Sequence, residues 1–416
     1  MKVLLTLRQP LLPADIGGRI RSLNLFSRLV QRAEIHVVCL ADPTSDRPAI
    51  AEMKSMFHSC TPVFHREARK HTARFYCEIL ANQLSSSPYF LAKCDAPEFR
   101  ATVEESIRRN QFDLLLCDFL HTAFPLLTCT FRPRVIFQHN VEFVLRKRKW
   151  QVETQPLRKR VFAAEYRRTH AIEARVCRSF DHVLAVSEQD KQVMEREFAI
   201  DHVSTVPTGV DTDFFRPMDV PVKSGRIVFV GAMDWDPNED AVIWFVREIF
   251  PRIQQVVPHA SFGVVGRSPS HKLRALLRDK AGVEITGRVP DVRPYLAEAE
   301  VVVVPLRAGG GTRLKIPEAM AVGKALISTR IGAEGLPFCD GREIRLEDQP
   351  EQFAQAVLEL MTDSVRRNAL GKAAREIVVR DHSWESAVDQ LEQILELVRH
   401  PEEATSEDVS PSLVSE

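Results

Sequence analysis

Residues 301–323 read VVVVPLRAGGGTRLKIPEAMAVG. The opening run, Val301–Pro305, is short, apolar and β-branched, which is the composition of a strand. Three consecutive glycines follow. They leave the backbone free to take positive φ and to approach a ligand closely, because no Cβ stands in the way. Arg313 and Lys315 come next, so unpaired N–H groups and two cations converge at the mouth of a helix, a setting suited to a phosphate or diphosphate. Glu318 adds a carboxylate that can accept from a sugar diol. The competing reading is a glycine-rich loop with a solvated charge pair. The spacing does not fit G-x-x-x-x-G-K-[ST], which argues against nucleotide hydrolysis.

Outward from this unit, similar strand-like runs alternate with longer amphipathic ones, the pattern of parallel sheets. Strands are expected at Lys2–Leu7, Ile35–Leu40, Leu114–Cys117, Arg134–Gln138, His182–Val186 and Val203–Val206. A second set is expected at Arg226–Val230, Ser261–Val265, Val283–Thr286, Val301–Pro305 and Ala325–Ser328. Asp240–Val257, His271–Lys280, Glu351–Leu360 and Ser383–Val398 carry helical spacing. Each half has strands enough for its own doubly wound sheet. Pro217, Pro221 and Gly225 interrupt regular structure between them. The predicted organisation is therefore a first domain over 1–217, a second over 218–382, and a helix over 383–400 that crosses back to the first domain. An acidic tail over 401–416 reads as disordered.

Composition narrows the classes. Lys+Arg and Asp+Glu stand at 56 each in 416 residues, so charge gives no reason to expect nucleic-acid binding. The eight cysteines form no C-x-x-C pair and several sit in apolar runs, so buried, reduced thiols are expected and a zinc site is not. The apolar run at Met1–Leu7 is too short for a signal peptide, and no window reaches the roughly 20 apolar residues of a membrane span. A cytoplasmic protein is expected, one that can lie at the inner face of the membrane. One segment departs from neutrality: nine Lys/Arg fall between Arg146 and Arg168, interleaved with Trp150 and Tyr166. A solvated helix with Glu153 and Glu165 as counter-charges explains it; so does a peripheral contact with anionic lipid or a phosphorylated acceptor.

Ligands of open parallel sheets bind beyond the carboxyl ends of the strands. That rule selects Gly17 and Gly18 after the first strand, His139 after Arg134–Gln138, the turn Pro207–Asp211, and the loop bearing Gly310, Gly311, Thr312, Arg313 and Lys315 before Glu318. A lone G-G pair is a turn at least as often as a ligand loop, and a lone histidine is often structural.

These residues resemble a known family. The segments P-A-D-I-G-G-R-I-R, Q-H-N-V-E, A-V-S-E-Q-D, P-T-G-V-D, F-V-G-A-M, I-T-G-R-V-P-D-V and G-G-G-T-R-L-K-I-P-E-A-M, in this order and spacing, resemble retaining glycosyltransferases of family 4 over about residues 1–395. The resemblance implies an α/β GT-B architecture, two Rossmann-like doubly wound parallel-sheet domains facing across a cleft. It implies a hexosyltransferase that takes a nucleotide diphosphate sugar, with no cofactor and no metal, to a glycan or lipid-linked acceptor in exopolysaccharide or cell-envelope assembly. It maps Glu318 to the second glutamate of the family's E-x7-E motif, on the nucleotide ribose, and His139 to the histidine that reaches the donor sugar. Gly17 and Gly18 match the loop under the diphosphate; Gly231, Arg288 and Val289 join the donor site.

The chain departs from that pattern in three places. The first glutamate of E-x7-E falls on Gly310, so the side-chain contact to the donor sugar is missing and backbone N–H groups of Gly310 and Gly311 replace it. Ala232 and, roughly, Asn238 stand where many members carry an arginine and a lysine for the diphosphate, with Arg313 and Lys315 as replacements. Thr208 stands where asparagine is common before Gly209. Two rival readings remain: a nucleotide-sugar epimerase or hydrolase on the same fold, and a catalytically silent sugar-nucleotide-binding scaffold. Pro317 is either the first residue of a helix or an interior proline costing about 3 kcal/mol.

Overall fold

The computed structural model describes residues 1–14, 17–68, 72–308 and 313–400. Expectations that concern Gly310, Gly311, Thr312 and the acidic tail lie outside these residues. By contacts the chain forms two units, Met1–Pro207 with the chain from Ala387 on, and Thr208–Ser386. The division falls at Pro207, ten residues before the proline-rich stretch that the sequence pattern marks.

The first unit holds seven strands: β1 (Lys2–Leu7), β2 (Glu34–Ala41), β3 (Ser59–Phe64), β4 (Leu114–Asp118), β5 (Arg134–Phe137), β6 (His182–Ala185) and β7 (Val203–Thr205). They pair in the order β3-β2-β1-β4-β5-β6-β7, all parallel. The second unit has β8 (Arg226–Val230), β9 (Ser261–Val265), β10 (Val283–Gly287), β11 (Val301–Val304), β12 (Leu326–Ser328) and β13 (Arg345–Leu346), in the order β10-β9-β8-β11-β12-β13. Central strands such as β4, β5 and β11 are buried along their whole length, as a parallel sheet covered on both faces requires. In each sheet the order reverses beside the first strand of the unit, at β1/β4 and at β8/β11, and such a switch opens a crevice at the carboxyl edge.

Several elements differ from expectation for identifiable reasons. The run 240–257 is three consecutive pieces: a helix Asp236–Trp244, a π-helical turn Phe245–Ile249 and a helix Phe250–Val256. Pro251 at the start of the last piece cannot continue an unbroken ladder. Pro317 falls in the first turn of the helix Lys315–Ala321, where Leu314 is the N-cap. Its missing N–H would have had no intrahelical partner there, so neither the cost nor the kink of an interior proline arises. Six cysteines are buried as expected, but Cys77 and Cys339 are exposed. The last helix, Trp384–Arg399, buries Ala387, Leu391 and Leu395, each leucine contributing roughly 1.5–3 kcal/mol. Arg32 pairs with Asp389 and Glu392 at 2.5 and 3.0 Å, and Arg399 with Asp113 at 3.3 Å, tying that helix to the first sheet's helices and loops.

Candidate functional site

In the first unit the carboxyl ends of β1, β4 and β5 bring four side chains together. Asp118 ends β4 and His139 follows β5, and His139 Nε2 lies 2.6 Å from Asp118 Oδ1. Ser22, on the helix Gly17–Leu29, donates to the other carboxylate oxygen at 2.8 Å. All three are buried. Because a carboxylate accepts, Nε2 carries the hydrogen and Nδ1 is left as the acceptor. Burial lowers the His139 pKa below its ordinary value, with Asp118 opposing, so the ring is neutral at pH 7. Phe119 stacks on the imidazole at 3.8 Å and 12°. It does so from a left-handed backbone, φ 71°, which is strained for a bulky residue.

Gly18 makes that stack possible. A Cβ there would stand 2.8 Å from Phe119 Cζ, so the glycine gives up side-chain volume to the ring. Gly17 opens the same helix, with nothing within 4 Å of where its Cβ would be.

The loop bearing His139 is pinned from behind by Glu173, a residue that the charged sequence around it conceals. Glu173 is fully buried on the helix Pro156–Ser179. One carboxylate oxygen accepts from Gln138 Nε2 at 3.2 Å and from the Glu142 N–H at 2.8 Å; the other accepts from the Phe143 N–H at 2.8 Å. It therefore grips the chain on both sides of His139. Burial pushes its pKa up to about 8, against the two backbone donors. Arg21 is buried beside this site, its guanidinium 4.4 Å over the Phe137 ring and donating to the Val206 carbonyl. Its Nε and Nη1 have no hydrogen-bond partner among the described residues. Burial brings its pKa down to about 9.

The second unit gathers its groups beyond β8 and β11. Lys315 Nζ donates to Asn238 Oδ1 at 2.5 Å and lies 4.6 Å from the Phe229 ring and 5.9 Å from Trp235. Asn238 also donates to the Ala232 carbonyl at 2.7 Å. A Cβ on Gly231 would stand 2.9 Å from both Asn238 Nδ2 and Lys315 Nζ, so the glycine at the end of β8 admits the pair. Glu318 sits one turn along the helix from Lys315. Both keep some solvent exposure but are enclosed by the domain on most sides. Desolvation brings the lysine down to about 7, helped by Arg313 and opposed by Glu318. It brings the glutamate up to about 7, opposed by Lys315.

Arg313 is turned inward: Nη2 donates to the Ile331 carbonyl at 3.0 Å and lies 4.0 Å from Glu334. Its φ of 49° is left-handed, a rare backbone state for arginine. Arg288 is exposed after the positive-φ Gly287 that ends β10, and Val289 packs on the apolar core of this unit. Among the described residues, no group of three His, Cys, Asp or Glu is placed to hold a metal ion. No helix of the described residues is long and apolar enough to cross a membrane.

Of the residues selected from sequence, the structure joins Gly18 to the His139 site through Phe119, and Gly231 and Asn238 to Lys315. Asp118, Ser22, Phe119 and Glu173 were missed. The strand-end rule would have found Asp118, one position past the apolar run of β4. Nothing local marks Glu173, whose partners lie 30 residues earlier.

Comparison with known proteins bears on the family and the fold. Residues 16–214 match the Glycosyltransferase Family 4 model and residues 224–363 the Glycosyl transferases group 1 model. A phosphatidyl-myo-inositol mannosyltransferase of Mycolicibacterium smegmatis is 26% identical over 226 residues, covering 52% of this chain and 57% of that protein. A protein of Klebsiella pneumoniae described as an uncharacterized 44.6 kDa protein in the cps region is 19% identical, covering 62% and 68%. The chain spans a little over half the length of the first curated relatives it matches. Among solved structures, sucrose-phosphate synthase from Thermosynechococcus elongatus has a TM-score of 0.65 at 17% identity, covering 98% of this chain and all of that one. Anabaena Alr3699/HepE in complex with UDP has a TM-score of 0.63 at 13% identity, covering 95% of this chain and all of that one. At such identities the structures establish the GT-B type of fold alone. The two family matches take in both halves of the sequence, and the chain belongs to the group 1, family 4 glycosyltransferases.

Proposed function

We propose that this protein transfers a sugar from a nucleoside diphosphate sugar to a glycan or lipid-linked acceptor, with retention, in exopolysaccharide or cell-envelope glycan assembly at the cytoplasmic face of the membrane. The observation that carries the reading is the Lys315–Asn238 pair admitted by Gly231, with Glu318 one turn away. It supplies a cation for a diphosphate and a carboxylate for a ribose diol. The relatives named for mannosyl transfer to phosphatidylinositol compounds support a lipid-linked acceptor.

In the proposed step the bond from the anomeric carbon to the diphosphate oxygen breaks and the acceptor oxygen bonds that carbon on the same face. The acceptor hydroxyl proton passes to the departing phosphate oxygen. Negative charge builds on that phosphate, and preorganised donors aimed at it are the main catalytic device. Lys315 has that role, with the N–H groups of Gly310, Gly311 and Thr312, while Gly231, Arg288 and Val289 shape the donor pocket. Arg313, turned inward on the Ile331 carbonyl, acts from behind by lowering the Lys315 pKa. His139, held by Asp118, offers Nδ1 to a sugar hydroxyl and orients the ring. It is no obligatory base.

Peripheral contact with anionic lipid falls to the helices Glu142–Val152 and Pro156–Ser179. Val152 and Leu157 are 78% and 76% exposed where the two helices meet, beside Lys149, Arg158, Lys159 and Arg160. Each such cation contributes about 1 kcal/mol near an anionic surface.

The test is incubation with a panel of UDP-, GDP- and ADP-sugars, reading nucleoside diphosphate release. Slow release from one donor, faster with an acceptor, is expected. No release from any donor, with tight nucleotide binding, would leave the silent scaffold standing. Co-sedimentation with anionic but not neutral vesicles, lost at high salt, tests the lipid contact.

A further inference from the structure

Next to His139, a second group of charged side chains on the first unit is not used by the donor chemistry. Arg8 directly follows β1, His121 lies in the short helix Leu120–Ala123 after β4, and Arg146 lies in the helix after β5. All three therefore stand at the carboxyl edge of the sheet. Lys93 follows the short helix Tyr89–Ala92.

Ring contacts connect this group to the His139 site. Phe119, stacked on His139, meets His121 edge-on at 6.3 Å; His121 meets Phe90 edge-on at 5.2 Å; and the Arg146 guanidinium lies 4.3 Å over Phe90. The charges here do not balance. Lys93 pairs with Glu67 at 2.5 Å and Arg146 with Glu142 at 3.3 Å. Arg8 has no ion pair among the described residues, although its charge acts on Glu67, His121 and Glu142. Lys93 and Arg146 keep 23% and 22% of their side chains open to solvent, so the group is reachable. His121 is the opposite: it is 5% exposed and its Nδ1 has no hydrogen-bond partner among the described residues. An unpartnered buried nitrogen costs roughly 1–3 kcal/mol, a cost that a ligand would remove.

We propose that Arg8, Lys93, Arg146 and His121 form a subsite for a phosphate group carried by the acceptor. The proposal rests on the transferase reading for the word acceptor, but the anion site itself does not depend on it. One surplus cation, two partly satisfied ones and a buried ring nitrogen match the several oxygens of a phosphate better than the two of a carboxylate. Burial and the three cations together drive the His121 pKa well below its ordinary value, the electrostatic signature of a pocket short of negative charge. The phosphate can belong to a soluble sugar phosphate or to a lipid.

The experiment is a titration of protein carrying 13C-labelled histidine, with the His121 ring resonance assigned through His121→Gln. Inorganic phosphate, at constant ionic strength held with chloride, should shift that resonance saturably. Acetate and chloride should not. Arg8→Gln should weaken the response about tenfold or more, and Arg8→Lys less, since it keeps the charge but loses the fork. Arg146→Gln serves as the second variant if Arg8→Gln fails to fold. Glucose 6-phosphate and phosphatidylcholine vesicles with phosphatidic acid then separate the two sources. A response to the first alone assigns a soluble acceptor, and to the second alone a lipid one. A silent His121, an equal response to acetate, or indifference to Arg8→Gln and Arg146→Gln overturns the proposal. Donor turnover separates the two readings: turnover with a silent His121 sinks only the subsite, and a phosphate response without turnover sinks only the transferase.

Discussion

The first unit's His139 follows β5 and the second unit's Lys315 opens the helix after β11, each on the carboxyl side of its own sheet, yet they are held in opposite ways. His139 is locked. Asp118 fixes its tautomer, Ser22 fixes Asp118, Phe119 fixes the ring plane and Glu173 grips the loop on either side. Among the described residues, Lys315 has one neutral hydrogen-bond partner, Asn238, and a carboxylate one turn away that forms no ion pair with it within 4.0 Å. Both of its charges titrate near 7 because burial disfavours them. A site completed by protein groups positions a substrate. A site left electrostatically incomplete waits for a charged ligand to complete it.

The largest effect should come from the incomplete site. Lys315→Met removes the cation and keeps the apolar stem against Phe229 and Trp235, so the fold should persist by circular dichroism. Turnover should fall by about 100-fold or more, the cost of losing one preorganised donor to a developing oxyanion. A fall of less than about tenfold would mean that Lys315 is a buried structural amine. Asp118→Asn should follow, on the order of tenfold to a hundredfold in kcat, because a freed imidazole misplaces the donor sugar. Nucleoside diphosphate affinity should not change. If affinity falls with kcat, the two units are not divided in labour as described.

The two sites should also differ in pH dependence. Lys315 has a pKa of about 7 in the folded protein, far below its ordinary 10.5. Above pH 7 it is therefore neutral, and binding an anion must first take up a proton. Inorganic pyrophosphate, which has no ribose to engage Glu318, should bind more weakly as pH rises above 7, by up to about tenfold per unit. Lys315→Arg stays charged throughout and removes the lysine's share of that slope, leaving what Glu318, also near 7, contributes. Equal slopes in both proteins, measured by calorimetry, would assign the titration to Glu318 and the ligand rather than to Lys315.

How much of this was legible from sequence depended on whether the signal is local. The buried central strands announce themselves as β-branched runs. The edge strand β3 does not: only Cys60 and Val63 of it are buried, three positions apart, and it includes Pro62, where proline in a strand points to an edge. The helix Ser364–Asp381 was missed because its buried side is Leu370, Gly371, Ala374 and Val378, too small in part to stand out as an apolar stripe. Lys315 and Glu318 were visible because one glycine-rich segment carries the whole pattern. The His139 site was half visible, since Asp118, Ser22 and Glu173 meet it only through sheet pairing and helix packing. A carboxylate at 173 among arginines reads as a solvated counter-charge, and only the fold shows it fully buried.

Gly18 offers the smallest effect and the sharpest test of the idea that the His139 site works by being locked. It lies in the first turn of its helix, and its φ is not in the left-handed region, so alanine fits the backbone there. On helix propensity and unfolded-state entropy alone, Gly18→Ala should stabilise the protein by about 0.4–1 kcal/mol. The added Cβ would meet Phe119 Cζ at 2.8 Å, and because that atom is the far edge of a ring, the ring gives way. Displacing it by a few tenths of an ångström disturbs a stack worth about 0.5–1.5 kcal/mol and turns the His139 imidazole with it. The expected result is a split: an unchanged or slightly raised Tm, with kcat lowered about threefold to tenfold and nucleoside diphosphate affinity untouched. A fall in Tm would show that Phe119 cannot move and that the glycine serves packing. Full activity with a raised Tm would show that the plane of the His139 ring does not matter, and the division between a locked site and a waiting one would have to be given up.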